Sequence, residues 1–413
     1  MLAAVLLVLT ACGGAGPAAP LPPQPFPSPP EPARFYYERS VYGTADVESV
    51  SDEERLRELL TGASRASGTR FSKPFDVAVH RGRVFVSDTV ARVVFALDFA
   101  EGRSFRIGDK GDDGDLAKPL GIAVDGQGRL YVVDGNLRRV TVYDRSGRFR
   151  SAFGGKDVLD RPTGIAVSRD GSRAYVVDVG GVRSENHRIH VFDPRNGRLV
   201  HQIGSRGKQE GEFNLPRDVT IGRDGRLYVS DGGNFRVQVL SVEGDFIRAW
   251  GKAGLRFGQF SRPKGIATDP EGNVYVVDTA FGNFQIFTPE GQLLLFVGRR
   301  SETNGPAVFM LPAGIDVDED GRIYVVDQFF NKLEIIRPAM LTPDEGYLAG
   351  RPRAAAPPAG LPPATLPPDP AGAGAASAAA APRPAGVPGA IAAPSQPPSA
   401  GMAPPAVQGP ARP

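Results

Sequence analysis

The sequence predicts an all-β fold: a six-bladed β-propeller, closed by an N-terminal strand and followed by a disordered Pro/Ala-rich tail. Three observations predict it. A phrase of the form P-x-[GD]-[IV], followed by a run such as YVVD, is stated six times, beginning at Lys73, Lys118, Arg161, Leu215, Arg262 and Leu311. Its prolines stand at 74, 119, 162, 216, 263 and 312, giving spacings of 45, 43, 54, 47 and 49 residues. A period in the forties built of short β-runs suits one four-stranded blade per repeat. Glycine (51) and proline (39) are abundant, as many tight turns and proline-rich ends require.

From the N-terminus, LAAVLLVLT precedes the single cysteine, Cys12, which excludes an internal disulfide framework. The apolar run is too short to span a bilayer. Residues 1–12 resemble a bacterial lipoprotein signal with its lipobox, the lipidated Cys12 becoming the mature N-terminus. No Lys or Arg precedes the apolar run, a departure from that pattern. Residues 13–32 are proline-rich and predict an extended tether. Residues 33–43, ARFYYERSVYG, read as a strand of the kind that ends the later repeats. Because the sixth repeat runs out into proline after KLEIIRP (332–338), this N-terminal strand is expected to complete it and remove an exposed sheet edge. Ser51 to Glu54 form a capping box before Leu56, Leu59 and Leu60, predicting a short amphipathic helix.

The propeller is expected over 33–340. In blade two its strands read 121–125, 129–134, 139–144 and 148–154, with Asp-Gly and Asn-Gly turns supplying hairpin geometry. Continuous runs such as YVVD fit strands buried on both faces. Residues 352–413 are Ala, Pro and Gly with few charges, so no core is available and disorder is expected, as a spacer or a tail without a role.

The repeated pattern resembles the NHL repeat across about 270 residues. The resemblance implies a six-bladed propeller, and it leaves activity open, because such propellers include binding scaffolds, ligand sensors and some enzymes. Amidating lyases and gluconolactonase-type propellers hold a channel metal. Here His80, His187, His190 and His201 are not repeated on inner strands, so a histidine-held metal is not expected. No cofactor is expected.

Net charge is only +2, so electrostatic arguments rest on where the charges sit. Asp88, Asp134, Asp178, Asp231, Asp278 and Asp327 end the second strand of every blade; six copies favour a structural role, capping the turn or pairing with a neighbouring basic residue. Lys73, Lys118, Arg161, Arg217, Arg262 and Lys264 flank the repeat prolines and predict a basic face. Phe235, Phe281, Phe329 and Phe330 fall in loops of that face, a combination suited to recognising a protein or an anionic polymer. Asp76 and Asp218 replace the glycine of the other blades and stand opposite across the ring, either facing each other as a cation or acid–base pair or bonding local amides. Asp109, Asp112, Asp113 and Asp115 form either a calcium loop or a solvated turn, and the insertion at 179–188 marks blade three as different.

The expectation is a protein exported to the bacterial envelope, periplasmic or at the cell surface, and held to the membrane by lipid. There it binds an envelope or extracytoplasmic protein or an anionic polymer without catalysis. Nucleic acid, bound by some cytoplasmic relatives of the fold, is disfavoured by the export signal. The alternative is a lyase- or lactonase-type enzyme acting in the channel.

Overall fold

The computed structural model describes residues 23–48, 60–61, 68–180, 184–343 and 345–349. The chain divides into Met1–Ala359, which holds the propeller, and Gly360–Pro413, which lies outside the described residues. Cys12, nearly all of the expected helix at 51–60 and the tail at 352–413 also lie outside them.

Five blades are four-stranded antiparallel sheets. Blade one is Pro74–His80, Arg83–Asp88, Val93–Asp98 and Arg103–Ile107; blades two to five begin at the inner strands Pro119–Val124, Pro162–Val167, Pro216–Ile221 and Pro263–Thr268. Blade six supplies only Pro312–Val317, Ile323–Asp327 and Lys332–Pro338 from its own repeat. Its fourth strand is the N-terminal Phe35–Val41, paired from Phe35 opposite Pro338 to Val41 opposite Leu333. Each inner strand contacts the next, and the sixth contacts the first, so the ring is closed. The proline-rich stretch differs from a plain tether at its end: Pro25–Phe26 pairs with Phe35–Tyr36 as a fifth strand of blade six, and Phe26 is buried.

Second strands such as Tyr131–Asp134 are wholly buried because neighbouring blades cover both faces. The core accordingly divides into six clusters, one between each adjacent pair of blades. At the inner ring, glycine is needed for close approach. A Cβ on Gly164 would lie 2.8 Å from the Cα of Asp218 in the next blade, and one on Gly121 2.7 Å from the Cα of Gly164.

Blades one and four depart together from this pattern. In the glycine blades the ladder between first and second strands skips from proline to isoleucine, as in Pro162/Ile165. In blades one and four it resumes sooner, pairing Asp76 with Ser87 and Asp218 with Ser230. The serine hydroxyl accepts the aspartate N–H (3.1 Å for Ser87, 3.2 Å for Ser230) and donates to a carbonyl of the following blade, Leu120 or Lys264. Aspartate and serine thus occur as a matched pair where glycine and valine stand elsewhere.

Candidate functional site: a cationic mouth above channel carboxylates

The six repeated aspartates are fully buried, and their carboxylates accept bonds from two loops at once. Asp278 takes the N–H groups of Ser261 and Arg262 ahead of the inner strand and of Ala280 and Phe281 in its own turn. Asp88, Asp134 and Asp327 repeat this four-bond arrangement. Among the described residues, pairing with a neighbouring arginine occurs in blade four, where Arg236 Nε donates to Asp231 at 2.9 Å. In blade three His190 stands 3.6 Å from Asp178. These carboxylates hold the loops of one propeller face in register, and no capacity is left in them for a ligand.

Those loops carry the predicted basic residues. Lys73, Lys118, Arg161, Arg217 and Arg262 are exposed and Lys264 is half-buried. None of the six forms an ion pair among the described residues, although arginines elsewhere are commonly paired, as in Arg83–Asp98 and Arg195–Asp193. Arg161, Arg217, and Arg262 with Lys264 lie on three consecutive blades. Thr163 Oγ1 donates to the Arg217 carbonyl (3.0 Å) and Ser230 Oγ to that of Lys264, tying the inner strands of this arc together. Arg217 folds over Gly232, where a Cβ would meet its Cγ at 2.9 Å. This packing takes part of the otherwise exposed Arg217 side chain out of water, and that desolvation, then the charges of Arg262 and Arg161, lowers its pKa. Burial, then Arg217 and Arg262, push Lys264 down to about 8, with Asp327 opposing and Lys73 adding to the shift.

The predicted aromatic component is smaller than expected. Phe329 is half exposed (50%). Phe330 packs edge-to-face on it and lies over the Lys332 ammonium; Phe281 is partly buried, and Phe235 packs against the core between blades four and five.

Beneath the mouth stand the channel carboxyls. Asp76 Oδ2 accepts from Ile122 N of blade two (2.9 Å) while Oδ1 lies against Gly314 of blade six. Asp218 Oδ2 accepts from Ile266 N of blade five (3.2 Å) while its Oδ1 lies against Gly164 of blade three. Each aspartate therefore touches the inner strands on both sides of its own, and together the two reach all six. Sequence reasoning missed a third member: Asp316, in place of the alanine of neighbouring repeats, accepts from Val79 N of blade one (2.8 Å). The signal was legible as IDV where blades two and three read IAV. Burial raises the pKa of all three, to about 7 for Asp316; Asp76 adds to the rise at both Asp218 and Asp316. These carboxyls lie close enough for the charge of one to oppose ionisation of the next.

Among the described residues no three His, Cys, Asp or Glu side chains converge as a metal-binding group. The acidic turn is self-satisfied: Asp115 accepts from Lys110 N and Gly111 N, Asp112 from Gly114 N, and Asp109 pairs with Arg106. His190 is buried in the third strand of blade three and His187 is buried just ahead of it, His201 lies on the outer strand of that blade and His80 ends an inner strand. Of the blade-three insertion, 181–183 lie outside the described residues; Asn186 Nδ2 donates to Asp178 (3.1 Å). On the opposite face a second aspartate also escaped sequence reasoning. Asp125, Asp269 and Asp318 each accept the hydroxyl of a buried tyrosine six residues on, Tyr131, Tyr275 and Tyr324.

Comparison with known proteins agrees with this architecture. The NHL repeat model matches residues 213–240 and 260–288, in blades four and five. Protein brain tumor of Drosophila melanogaster is 30% identical over 139 residues, covering 33% of this chain and 12% of that protein. E3 ubiquitin-protein ligase NHLRC1 of Homo sapiens is 34% identical over 92 residues, 22% of each chain. The chain thus spans under a quarter of the length of these relatives. A structural genomics protein of unknown function from Bacteroides thetaiotaomicron VPI-5482 superposes with a TM-score of 0.53 at 19% identity, over 73% of this chain and 76% of that one, a likeness of fold. The chain carries NHL repeats in a six-bladed β-propeller.

Proposed function

We propose that the propeller is a non-catalytic recognition module, lipid-anchored through Cys12 in a bacterial envelope, that binds an anionic protein or polymer on its basic face. The observation that carries this reading is the set of six cations around the channel mouth with no carboxylate partner among the described residues. Ionised groups left without counter-charges on a rigid scaffold favour an incoming anion and steer its approach. Phe329 adds an exposed aromatic surface beside them.

The test is cross-linking in the native cells followed by pull-down on the propeller, with Arg217→Glu, Arg262→Glu and Lys264→Glu combined as control. A specific partner captured by the wild type and lost in the triple variant supports the reading; equal capture by both removes the basic face from it. Replacing Cys12 by serine should release the protein from membranes, and continued retention would count against the anchor.

A second reading, a lyase- or lactonase-type enzyme, draws on Asp76, which burial raises to about 7, and on Asp218, raised by burial and by Asp76, since shifted carboxyls in a channel suit proton transfer. Binding is favoured over it because one oxygen of each carboxyl is committed to a neighbouring blade's N–H, and Asp76 is only 7% exposed.

A further inference from the structure

The basic face is not uniform. Blade six contributes no cation at the two positions flanking its proline, which are Leu311 and Ala313, and blades one and two contribute one lysine each. The arc of blades three to five supplies Arg161, Arg217, Arg262 and Lys264. We infer that this arc is a seat for a compact oxyanion of two or more charges, a phosphate or pyrophosphate ester carried by the partner. The inference rests on the recognition reading above and names its ligand chemistry.

Three features point to this class of anion. Three guanidinium groups present planar donor forks that match tetrahedral oxyanions, and none forms an ion pair with a carboxylate among the described residues. The positions are rigid, because they flank or begin the inner strands and the Ser230 and Thr163 bonds pin their backbone. The cations also crowd one another, since Arg217 is opposed by Arg262 and Arg161, and Lys264 by Arg217 and Arg262. A single bound polyanion relieves that repulsion for several groups at once, whereas a monovalent carboxylate neutralises only one.

Lys264 makes the seat proton-linked. The charged groups facing it are Arg217 from the inner strand of blade four, Arg262 from the residue before its own strand, Lys73 from blade one and Asp327 from blade six. Asp327 is already occupied by four backbone N–H groups. Burial and the charges of Arg217 and Arg262 push the pKa of the unliganded Lys264 down to about 8. A bound oxyanion favours the ammonium form and so returns its pKa toward the ordinary lysine value. Above about pH 8, binding must therefore take up a proton.

The experiment is calorimetric titration of the full chain with inorganic pyrophosphate at fixed ionic strength near pH 8.5, in two buffers of different ionisation enthalpy. The expected result is saturable 1:1 binding with a buffer-dependent heat that reports proton uptake. The triple reversal at Arg217, Arg262 and Lys264 should weaken binding by roughly tenfold or more. An equal charge change on outer strands and turns, Arg103→Glu with Arg150→Glu and Arg195→Glu, should leave it within about twofold. Lys264→Arg, which stays charged, should bind and lose the proton uptake, and it guards against misfolding of the triple variant. No saturable binding, equal weakening by the outer triple, or full proton uptake in Lys264→Arg would each overturn the inference. If pyrophosphate fails while cellular capture still depends on Arg217, Arg262 and Lys264, the oxyanion seat falls and the recognition face stands. Vesicles of phosphatidic acid in phosphatidylcholine separate the sources of a bound group. Flotation that pyrophosphate abolishes assigns it to a lipid surface; pyrophosphate binding without flotation assigns it to a soluble or polymer-borne ester.

Discussion

Gly164 and Asp278 illustrate two ways in which one residue fixes this fold. A methyl group on Gly164 would stand 2.4 Å from Asp218 Oδ1 and 2.8 Å from its Cα, and the backbone there cannot yield without moving blade four. Gly164→Ala should destabilise the protein by roughly 1–3 kcal/mol, the usual range for overpacking, and urea unfolding would show it as a lowered midpoint. Asp278 contributes through hydrogen bonds, four of them from backbone N–H groups that nothing else nearby serves. Asp278→Ala should cost roughly 3 kcal/mol or more, and Asp278→Asn less, since the amide oxygen still accepts. Equal losses from the two substitutions would show that the carboxylate's charge, and not its acceptor geometry, holds the loops.

At the scale of elements, closure of the ring falls on one strand. Phe35–Val41 covers Lys332–Pro338, and the buried Lys332–Glu334 pair beneath it is completed by Ser40 Oγ (3.1 Å to Glu334) from that same strand. Removing residues 1–43 uncovers a seven-residue edge and leaves a buried carboxylate short of a donor. Such an edge is a template for pairing with another chain. The shortened protein should elute from a sizing column as dimers or larger species and lose a sharp thermal transition. A monomer melting as the full chain does would show that blade six closes without its fourth strand.

For the whole molecule, the buried carboxyls of the channel, together with Asp318 on the opposite face, impose a pH dependence on stability. Burial raises Asp316 to about 7 and Asp318 to about 6, with Asp76 and Asp218 moved in the same direction. The folded state thus binds more protons than the unfolded chain, in which these groups titrate near the ordinary aspartate value of about 4. Their stabilising contribution is complete below about pH 4 and is lost as pH rises through about 7. Opposing it, Asp170 and Asp193, both lowered to about 2 by hydrogen bonds, contribute stability that disappears in acid below about pH 4. Stability followed by chemical denaturation should decline between about pH 4 and 7, and Asp316→Asn should flatten that decline by up to ~1.4 kcal/mol per pH unit. An unchanged slope in the variant would mean that Asp316 is ionised throughout.

Much of this was readable from residues alone, because a propeller repeats its local rules. Proline spacing, Asp-Gly turns and doubly buried YVVD runs are short-range patterns, and the premature end of KLEIIRP exposed the need for an N-terminal closing strand. Aspartates in every blade also announced a structural task through their number. What remained hidden depended on which blades became neighbours. Asp316 went unnoticed because its partner, Val79 N, comes from blade one, which only ring closure sets beside blade six. The Asp76–Ser87 and Asp218–Ser230 pairs are eleven and twelve residues apart, and their bridging role required the next blade's carbonyl. Exposure of the aromatics was likewise decided by packing: Phe235, Phe329 and Phe330 all fall in loops of the basic face, yet of the three only Phe329 is exposed. Local periodicity therefore determined the number of blades and their turns. Tertiary closure decided which charges meet, because the electrostatics of the mouth and channel arise between repeats and not within them.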